Sequence, residues 1–267
     1  MFYCVLDTET TNGFEDSLVY DIGWSIIDEA GNVQVTRSFV NSDIFLNSEL
    51  MSVAFFKDKI PQYEEDLKNG SRKMVSFMTA RSNLQADCKT YNVKAIIAHN
   101  MRFDYSACQT TIRYLTKSKY RYFFPFGVEL WDSLKMAKEV FLSDSKYQAY
   151  CKEKDFMVPD KSRPKLTAEV LYRYLIGNDS FVESHTGLED TLIEKDIFVE
   201  CYTNRKCSKV KCFDTNFIEI YNGRDSYFVE CRCGVIGAVT VSYDKIPDNK
   251  WVVMADGSFS KKLLDIF

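Results

Sequence analysis

A short apolar run that ends in two carboxylates constrains the fold more than any other feature of this chain. Phe2 to Leu6 is typical of a buried strand, and Asp7 and Glu9 follow at its end. Residues i and i+2 of a strand share a face, so both carboxylates are expected to point into one small volume. Two anions that close repel strongly at low dielectric, so either one is protonated or a hard divalent cation lies between them. Such pairs also occur on solvated turns, so the motif needs support from elsewhere in the chain.

A second apolar segment, Ala95 to Ala98, leads through polar residues to Asp104. Apolar residues at helical spacing predict that a helix begins there. Asp104 is then expected in the first turn, on the inward face of the helix. The alternative is an ordinary helix-capping aspartate.

A third segment combines a histidine with an aspartate on a buried stripe. The pattern from Gly187 to about Thr203 predicts an amphipathic helix, with Asp190 on its apolar side. An aspartate in that position is costly unless it is paired or bound to metal. His185 precedes Asp190 by five residues and is one of only two histidines in the chain. This spacing allows both side chains to reach one site.

Taken in order, the three segments resemble the exonuclease motifs of the DnaQ-like 3′–5′ exonucleases of the DEDDh group. This family includes the proofreading exonuclease subunit of bacterial DNA polymerase III. Motif I resembles Asp7–Thr11, motif II resembles His99–Asp104, and motif III resembles His185–Asp190. The resemblance covers roughly residues 1–205. One departure is Gly187, where many relatives carry alanine.

The order of the elements predicts a mixed α/β sheet with helices on both sides. The resemblance implies the ribonuclease H-like form of this fold, with a mixed five-stranded sheet. Sequence patterns place the strands at 2–6, 21–28, 33–40, 94–98 and 128–131. They place helices around 48–57, 72–91, 132–141, 146–154, 167–176 and 187–203, with Asp132 as a helix cap.

Beyond the resemblance, residues 206–267 read as a small β-rich appendage of unknown role. Short strand-like runs there are separated by turn residues. The predicted organisation is therefore an exonuclease domain over residues 1–205 and an appendage over 206–267. Four thiolates in the appendage could gather a structural Zn²⁺, although reduced cysteines are the default expectation: Cys207, Cys212, Cys231 and Cys233.

The resemblance implies that two Mg²⁺ or Mn²⁺ ions serve the reaction and that four carboxylates hold them. Asp7 would bridge both ions, Glu9 and Asp190 would help to hold the ion with the attacking water, and Asp104 would serve the other. His185 would be the general base for that water, a role that suits its ordinary pKa of about 6.5. Metal ligation is the competing role for His185, because histidine is also a common ligand.

The resemblance also implies substrate contacts. Thr8, Thr10 and Thr11 would contact the terminal nucleotide. Phe103 would form a wall of the base pocket, although a place in the core is an equal alternative. The expected products are nucleoside 5′-monophosphates.

Composition limits the classes of partner. The net charge of −4 argues against tight nonspecific binding of duplexes through a global basic field. Basic residues interleaved with aromatics occur at 117–122, 161–165 and 205–211, and at least one of these clusters is expected to contact nucleic acid. No apolar run approaches the length of a membrane span, and the first residues lack a signal-peptide pattern. A cytoplasmic location is therefore expected.

The expected function is a metal-dependent 3′–5′ exonuclease that acts on a single-stranded or frayed 3′ end of DNA. It would serve proofreading with a separate DNA polymerase, or DNA degradation or repair. One alternative is a 3′–5′ exoribonuclease with the same site, because the sequence does not reveal contacts to the 2′-OH. Another is a non-catalytic adaptor that binds polymerase or nucleic acid, which the intact set of four carboxylates and His185 argues against.

Overall fold

The computed structural model describes residues 1–11, 16–117 and 122–204, and the backbone of five further strands between 218 and 260. Six strands of the first part form a sheet in the order β4-β3-β2-β1-β5-β6. Their bounds are β1 (Phe2–Thr10), β2 (Val19–Asp28), β3 (Val33–Asn41), β4 (Lys73–Val75), β5 (Val93–Ala98) and β6 (Glu129–Asp132). Strand β2 is antiparallel to β1 and β3, whereas β1, β5 and β6 run parallel. The carboxyl ends of β1, β5 and β6 therefore meet at one edge of the sheet.

Helices cover both faces of this sheet. They are α1 (Ser42–Phe45), α2 (Ser48–Met51), α3 (Ile60–Asn69), α4 (Phe77–Thr90), α5 (Met101–Leu115), α6 (Ser133–Phe141), α7 (Ser145–Glu153), α8 (Ala168–Ile176) and α9 (Gly187–Asn204). Side chains alternate along β1, so Cys4 and Leu6 pack in one core with α4 and α5. Tyr3 and Val5 pack in a second core with α6, α7, α8 and α9. The predicted fold class, a ribonuclease H-like mixed sheet with helices on both sides, is confirmed.

The structure adds elements that the sequence patterns do not predict. Strand β4 is a sixth strand, and its residues pair in parallel with Phe39–Asn41 of β3. The helix expected over 72–91 therefore begins only at Phe77, where the Ser76 hydroxyl caps it by accepting the Thr79 N–H. The helix expected over 48–57 ends after a single turn at Met51, and helix α3 follows it.

Five strands follow α9 in the β-rich C-terminal part: β7 (Ile218–Ile220), β8 (Ser226–Glu230), β9 (Val235–Thr240), β10 (Val252–Val253) and β11 (Phe259–Ser260). Strand β9 pairs in antiparallel fashion with β6, with Ile236 opposite Leu130, so β7, β8 and β9 continue the main sheet. The boundary at 205/206 stays a prediction. The four cysteines of the predicted zinc site lie outside the described residues. Five cysteines within them are buried free thiols: Cys4, Cys88, Cys108, Cys151 and Cys201.

Across the part of the chain that the structure describes, no helix has the length and apolar character needed to cross a membrane.

Candidate active site

A cavity of about 570 Å³ lies at the carboxyl ends of β1 and β5. The predicted motif residues all line it: Asp7, Glu9, Asp104, His185 and Asp190. Thr8, Thr10 and Phe103 line it as well. Thr11 does not contribute to the lining; it is fully buried, and its hydroxyl accepts the Leu18 N–H at 3.3 Å. The structure thus brings together every predicted site residue except Thr11.

Asp104 reaches the cavity because the chain turns sharply after β5. Asn100, the N-cap of α5, adopts a left-handed conformation with a φ of 85°, which asparagine tolerates better than most residues. Asp104 lies in the first turn of α5 and is 3% exposed, as the sequence predicts. The Thr8 hydroxyl donates to Asp104 Oδ1 at 2.8 Å and ties this carboxylate to β1. The Thr8 side chain therefore supports a neighbouring carboxylate.

Asp190 and His185 are held at the N-terminus of α9. The Ser184 hydroxyl donates to Asp190 Oδ1 at 3.2 Å, and the Thr186 N–H donates to Asp190 Oδ2 at 3.1 Å. His185 adopts a φ of 54°, and its ring stacks on Phe56 with 4.2 Å between centroids. One potential ligand atom from each of Glu9, His185 and Asp190 lies within 4.8 Å of the others.

A pair of glycines fixes α9 against the sheet. The Gly187 N–H donates to Asp21 Oδ2 at 2.9 Å, across 166 residues of sequence. A Cβ added at Gly187 would lie 2.9 Å from Gly23 N and 3.3 Å from the Asp7 carbonyl oxygen. A Cβ added at Gly23 would collide with the backbone of Gly187. Glycine at position 187, where many relatives carry alanine, therefore suits the close approach of two backbones in this chain.

Among the residues that the structure describes, no cation forms a salt bridge with the carboxylates of Asp7, Glu9, Asp104 and Asp190. Asp7 Oδ2 is buried and has no hydrogen-bond partner. Burial raises the pKa of Asp7 and of Glu9, and the neighbouring carboxylates raise both further. Burial likewise raises the pKa of Asp104 to about 7 and that of Asp190 to about 6, against hydrogen bonds that lower them. These groups do not all ionise near neutral pH without added positive charge.

Two further carboxylates line the cavity that the sequence analysis missed. Glu194 is 4% exposed, and its Oε2 accepts the His99 N–H at 3.1 Å. Burial raises its pKa well above the usual range. Glu183 has its pKa raised to about 8, mainly by burial and then by Asp190. Glu194 lies one helical turn beyond Asp190, and this spacing could have found it.

The sequence analysis also missed an aromatic pair at the cavity. Phe55 and Phe56 both line it, with ring centroids 4.8 Å apart. Phe55 is 71% exposed, whereas Phe56 covers one face of His185. The sequence pattern predicts that both lie in a helix over 48–57, whereas in the structure that helix ends at Met51 and they lie in the connection that follows.

His99 has a structural place beside the cavity. The ring is half-buried; Nδ1 lies 3.1 Å from Ser133 Oγ and Nε2 lies 2.7 Å from the Leu166 carbonyl oxygen. Burial lowers the pKa of His99, which favours the neutral ring. Asp132 caps α6 as predicted, and its Oδ1 also accepts the Asn100 N–H at 3.2 Å. His99 and Asp132 together fix the turn after β5.

The donor set fits a hard divalent cation. Carboxylate oxygens are the ligands that Mg²⁺ and Mn²⁺ prefer. The unpartnered Asp7 Oδ2 and the raised pKa values of its neighbours are what an acidic site shows when its positive charge comes from outside the protein. The residues present therefore fit the cofactor that the resemblance implies.

Comparison with known proteins gives likenesses of structure. No protein-family profile matches the sequence, and no curated protein matches it. Exonuclease X in complex with 5′ overhanging duplex DNA is similar at 13% identity and a TM-score of 0.38, over 77% of this chain and 94% of that one. Cell-death related nuclease 4 (CRN-4) is similar at 11% identity and a TM-score of 0.45, over 92% and 82%. The Mg²⁺- and Mn²⁺-bound form of S. pombe Pop2p is similar at 14% identity and a TM-score of 0.42, over 76% and 83%. Likenesses at this level define neither activity nor substrate for this chain.

Proposed function

We propose that this chain is a metal-dependent 3′–5′ exonuclease that releases nucleoside 5′-monophosphates from DNA 3′ ends. The observation that carries the proposal is the convergence of Asp7, Glu9, Asp104, His185 and Asp190 on one cavity, with an unpartnered carboxylate oxygen at its base. A non-catalytic adaptor has no need of this arrangement, because unbalanced buried carboxylates reduce stability. The DNA polymerase partner stays a prediction.

Asp7, Glu9, Asp104 and Asp190 would hold two Mg²⁺ or Mn²⁺ ions. Such ions, when bound, activate a water and stabilise charge on the phosphate and on the leaving oxygen. Glu194 lies among these ligands, accepts the His99 N–H and holds the turn that leads to Asp104. Its place makes it a further carboxylate of the same site.

His185 would accept the proton of the attacking water. Burial lowers the pKa of His185 below its ordinary value, so the ring is neutral at pH 7 and can accept a proton. Stacking on Phe56 fixes the plane of the ring, which is what a positioned base requires. Its closeness to Glu9 and Asp190 also suits the competing role of a metal ligand.

The test is hydrolysis of single-stranded DNA and RNA labelled at either end, with Mg²⁺, with Mn²⁺ and with EDTA. A 3′ label should appear at once in a mononucleotide, while a 5′ label should give a ladder that shortens with time. EDTA should abolish both, and added metal should restore them. Cleavage of RNA in preference to DNA would move the assignment to an exoribonuclease. Undiminished cleavage in EDTA, or no cleavage of either polymer, would contradict the proposal.

A further inference from the structure

A structured hairpin between α7 and α8 borders the cavity. Met157 pairs with Pro164 across it, and the Val158 N–H donates to the Arg163 carbonyl oxygen at 3.0 Å. The Lys165 N–H donates to the Phe156 carbonyl oxygen at 2.9 Å. The hairpin is thus a built element with its own backbone hydrogen bonds.

Two side chains fix this hairpin to the rest of the domain. The Tyr147 hydroxyl donates to the Lys165 carbonyl oxygen at 2.6 Å. Nε2 of His99 lies 2.7 Å from the next carbonyl oxygen, that of Leu166. Because His99 also follows β5 directly, the hairpin is tied to the strand end that leads to Asp104. Side chains on the hairpin therefore keep a defined position relative to the acidic residues.

Three cations from this side line the cavity: Lys138 on α6, and Arg163 and Lys165 on the hairpin. Among the described residues, no carboxylate forms a salt bridge with any of the three. Other cations nearby are paired: Lys161 lies 3.2 Å from Asp155, and Lys154 lies 2.8 Å from Asp179. Arg163 Nη1 donates to the Pro164 carbonyl oxygen at 3.4 Å, and its charge helps to lower the pKa of Asp160. None of the three cavity cations is held in a salt bridge by a described residue, so unlike Lys161 and Lys154 they can pair with an anion in the cavity.

The negative charge at the base of the cavity indicates which part of a nucleic acid these cations would contact. The carboxylates at its base repel a phosphate chain, and bound metal offsets this only at the phosphate under attack. Further phosphates of the same strand need positive charge of their own. We propose, on the basis of the proposed function, that Lys138, Arg163 and Lys165 form a phosphate-binding wall. This wall contacts phosphates 5′ of the nucleotide being released, so that the cavity selects a polynucleotide strand over a single-nucleotide ester.

The experiment compares the activity of the full chain on two substrates. One is a single-stranded oligonucleotide, and the other is the p-nitrophenyl ester of thymidine 5′-monophosphate, which has one phosphodiester and no upstream phosphate. The variants are Lys138→Ala, Arg163→Ala and Lys165→Ala. The matched control is Lys161→Ala, which removes a cation from the same hairpin but outside the cavity lining.

The phosphate-binding wall predicts that removal of its cations reduces the preference for the oligonucleotide over the ester. The ratio of kcat/KM for the oligonucleotide to kcat/KM for the ester should fall about tenfold or more when two wall cations are removed, mainly through KM. The slope of log Kd for the oligonucleotide against log salt should fall by about 0.7 for each cation lost. Arg163→Lys should restore most of the preference, because it keeps the charge. Lys161→Ala should leave the ratio and the slope as they are in the parent chain.

Several results would overturn the wall. One is an equal loss of kcat/KM on both substrates. Another is an unchanged oligonucleotide-to-ester ratio and an unchanged salt slope in the Arg163→Ala/Lys165→Ala variant. A third is an effect of Lys161→Ala equal to that of the wall variants. Binding of a fluorescent oligonucleotide, measured by anisotropy, separates this inference from the proposed function. If the parent chain hydrolyses neither substrate, the proposed function fails. The wall then stands or falls on whether the variants weaken oligonucleotide binding and its salt dependence.

Discussion

Two neighbouring regions of this molecule each hold an aspartate, Asp21 in one and Asp7 in the other, and they differ in how the charge of that aspartate is compensated. Asp21 is fully buried, and its Oδ2 accepts hydrogen bonds from the Tyr63 hydroxyl, the Arg72 guanidinium and the Gly187 N–H. Burial raises the pKa of Asp21, and these three partners oppose the rise. At Asp7, burial raises the pKa and the surrounding carboxylates raise it further. Asp21 Oδ1 is buried without a hydrogen-bond partner, as Asp7 Oδ2 is. The difference between the two residues is the cation: Arg72 pairs with Asp21, whereas no cation among the described residues forms a salt bridge with Asp7.

The difference separates a structural ion pair from a site that needs a ligand. A buried charge with its partners in place holds elements together, as Arg72 does by also pairing with Asp66 and Glu189. A buried carboxylate without a partner reduces stability, and such groups concentrate where function requires them. The comparison therefore predicts that mutations in the two regions affect different properties of the protein.

The largest difference between the effect of a mutation on activity and its effect on stability is expected for His185→Ala. If His185 is the general base, the chemical step should slow by about 10²–10⁴-fold, while metal binding and the free energy of unfolding change little. Single-turnover rates between pH 5.5 and 9, beside calorimetric titration with Mn²⁺, measure both effects. A variant with weakened metal affinity and a normal rate at saturating Mn²⁺ would instead make His185 a ligand.

Arg72→Met should have the opposite profile. Removal of Arg72 from this buried network leaves the Asp21 carboxylate without its ion-pair partner, which costs about 3–5 kcal/mol of unfolding free energy. Urea denaturation measures this loss. Arg37→Met is the matched control, because Arg37 pairs with Asp87 at a side chain that is 41% exposed, so its loss should be well below that of Arg72. Equal losses in the two variants would remove the distinction between the buried and the surface pair.

Asp7→Asn should stabilise the metal-free protein and abolish its activity. The amide keeps the shape of the side chain and removes one of the repelling charges, so the unfolding free energy at pH 8 should rise by about 1–3 kcal/mol. Asp21→Asn is the contrasting variant and should be destabilised, since it loses its ion pair with Arg72. Denaturation in metal-free buffer compares the two. A loss of stability in Asp7→Asn would mean that the protein already balances this charge.

The smallest effect is the dependence of stability on pH. The folded-state pKa values of Asp190, Asp104 and Glu183 are raised to about 6, 7 and 8. Each group then favours folding fully below its unfolded pKa, and this contribution is lost as pH rises through the folded value. Metal-free protein should therefore lose about 1.4 kcal/mol as the pH rises from 7 to 8, mainly through Glu183, because a group that holds a proton only in the folded state contributes about 1.4 kcal/mol per pH unit. Saturating Mn²⁺ should flatten the slope, and a stability that rises with pH would contradict the raised values.

The sequence predicts what depends on local pattern. The end of β1 places Asp7 and Glu9, the start of α5 places Asp104, and the stripe of α9 places Asp190, because strand and helix periods are read directly from apolar spacing. Asp132 as the cap of α6 follows from the same local chemistry.

What the sequence misses depends on contacts between distant segments. Strand β4 has only three residues and exists because β3 offers it an edge. Phe56 stacks on His185, which lies 129 residues later in the chain. Local pattern equally gives no sign of the close approach of Gly23 and Gly187, in which a Cβ at Gly187 would lie 2.9 Å from Gly23 N.

The bond between Asp21 and the Gly187 N–H can form only late in synthesis, because Gly187 is added to the chain long after Asp21. It joins the second strand to the last described helix, 166 residues later, and contacts of such separation form slowly. A growing chain that has exposed β1 to β6 holds Asp7, Glu9 and Asp104 but neither His185 nor Asp190. On the ribosome, the nascent chain therefore has no complete site until α9 emerges and docks, and under the proposed function an unfinished copy would be unable to hydrolyse nucleic acid nearby.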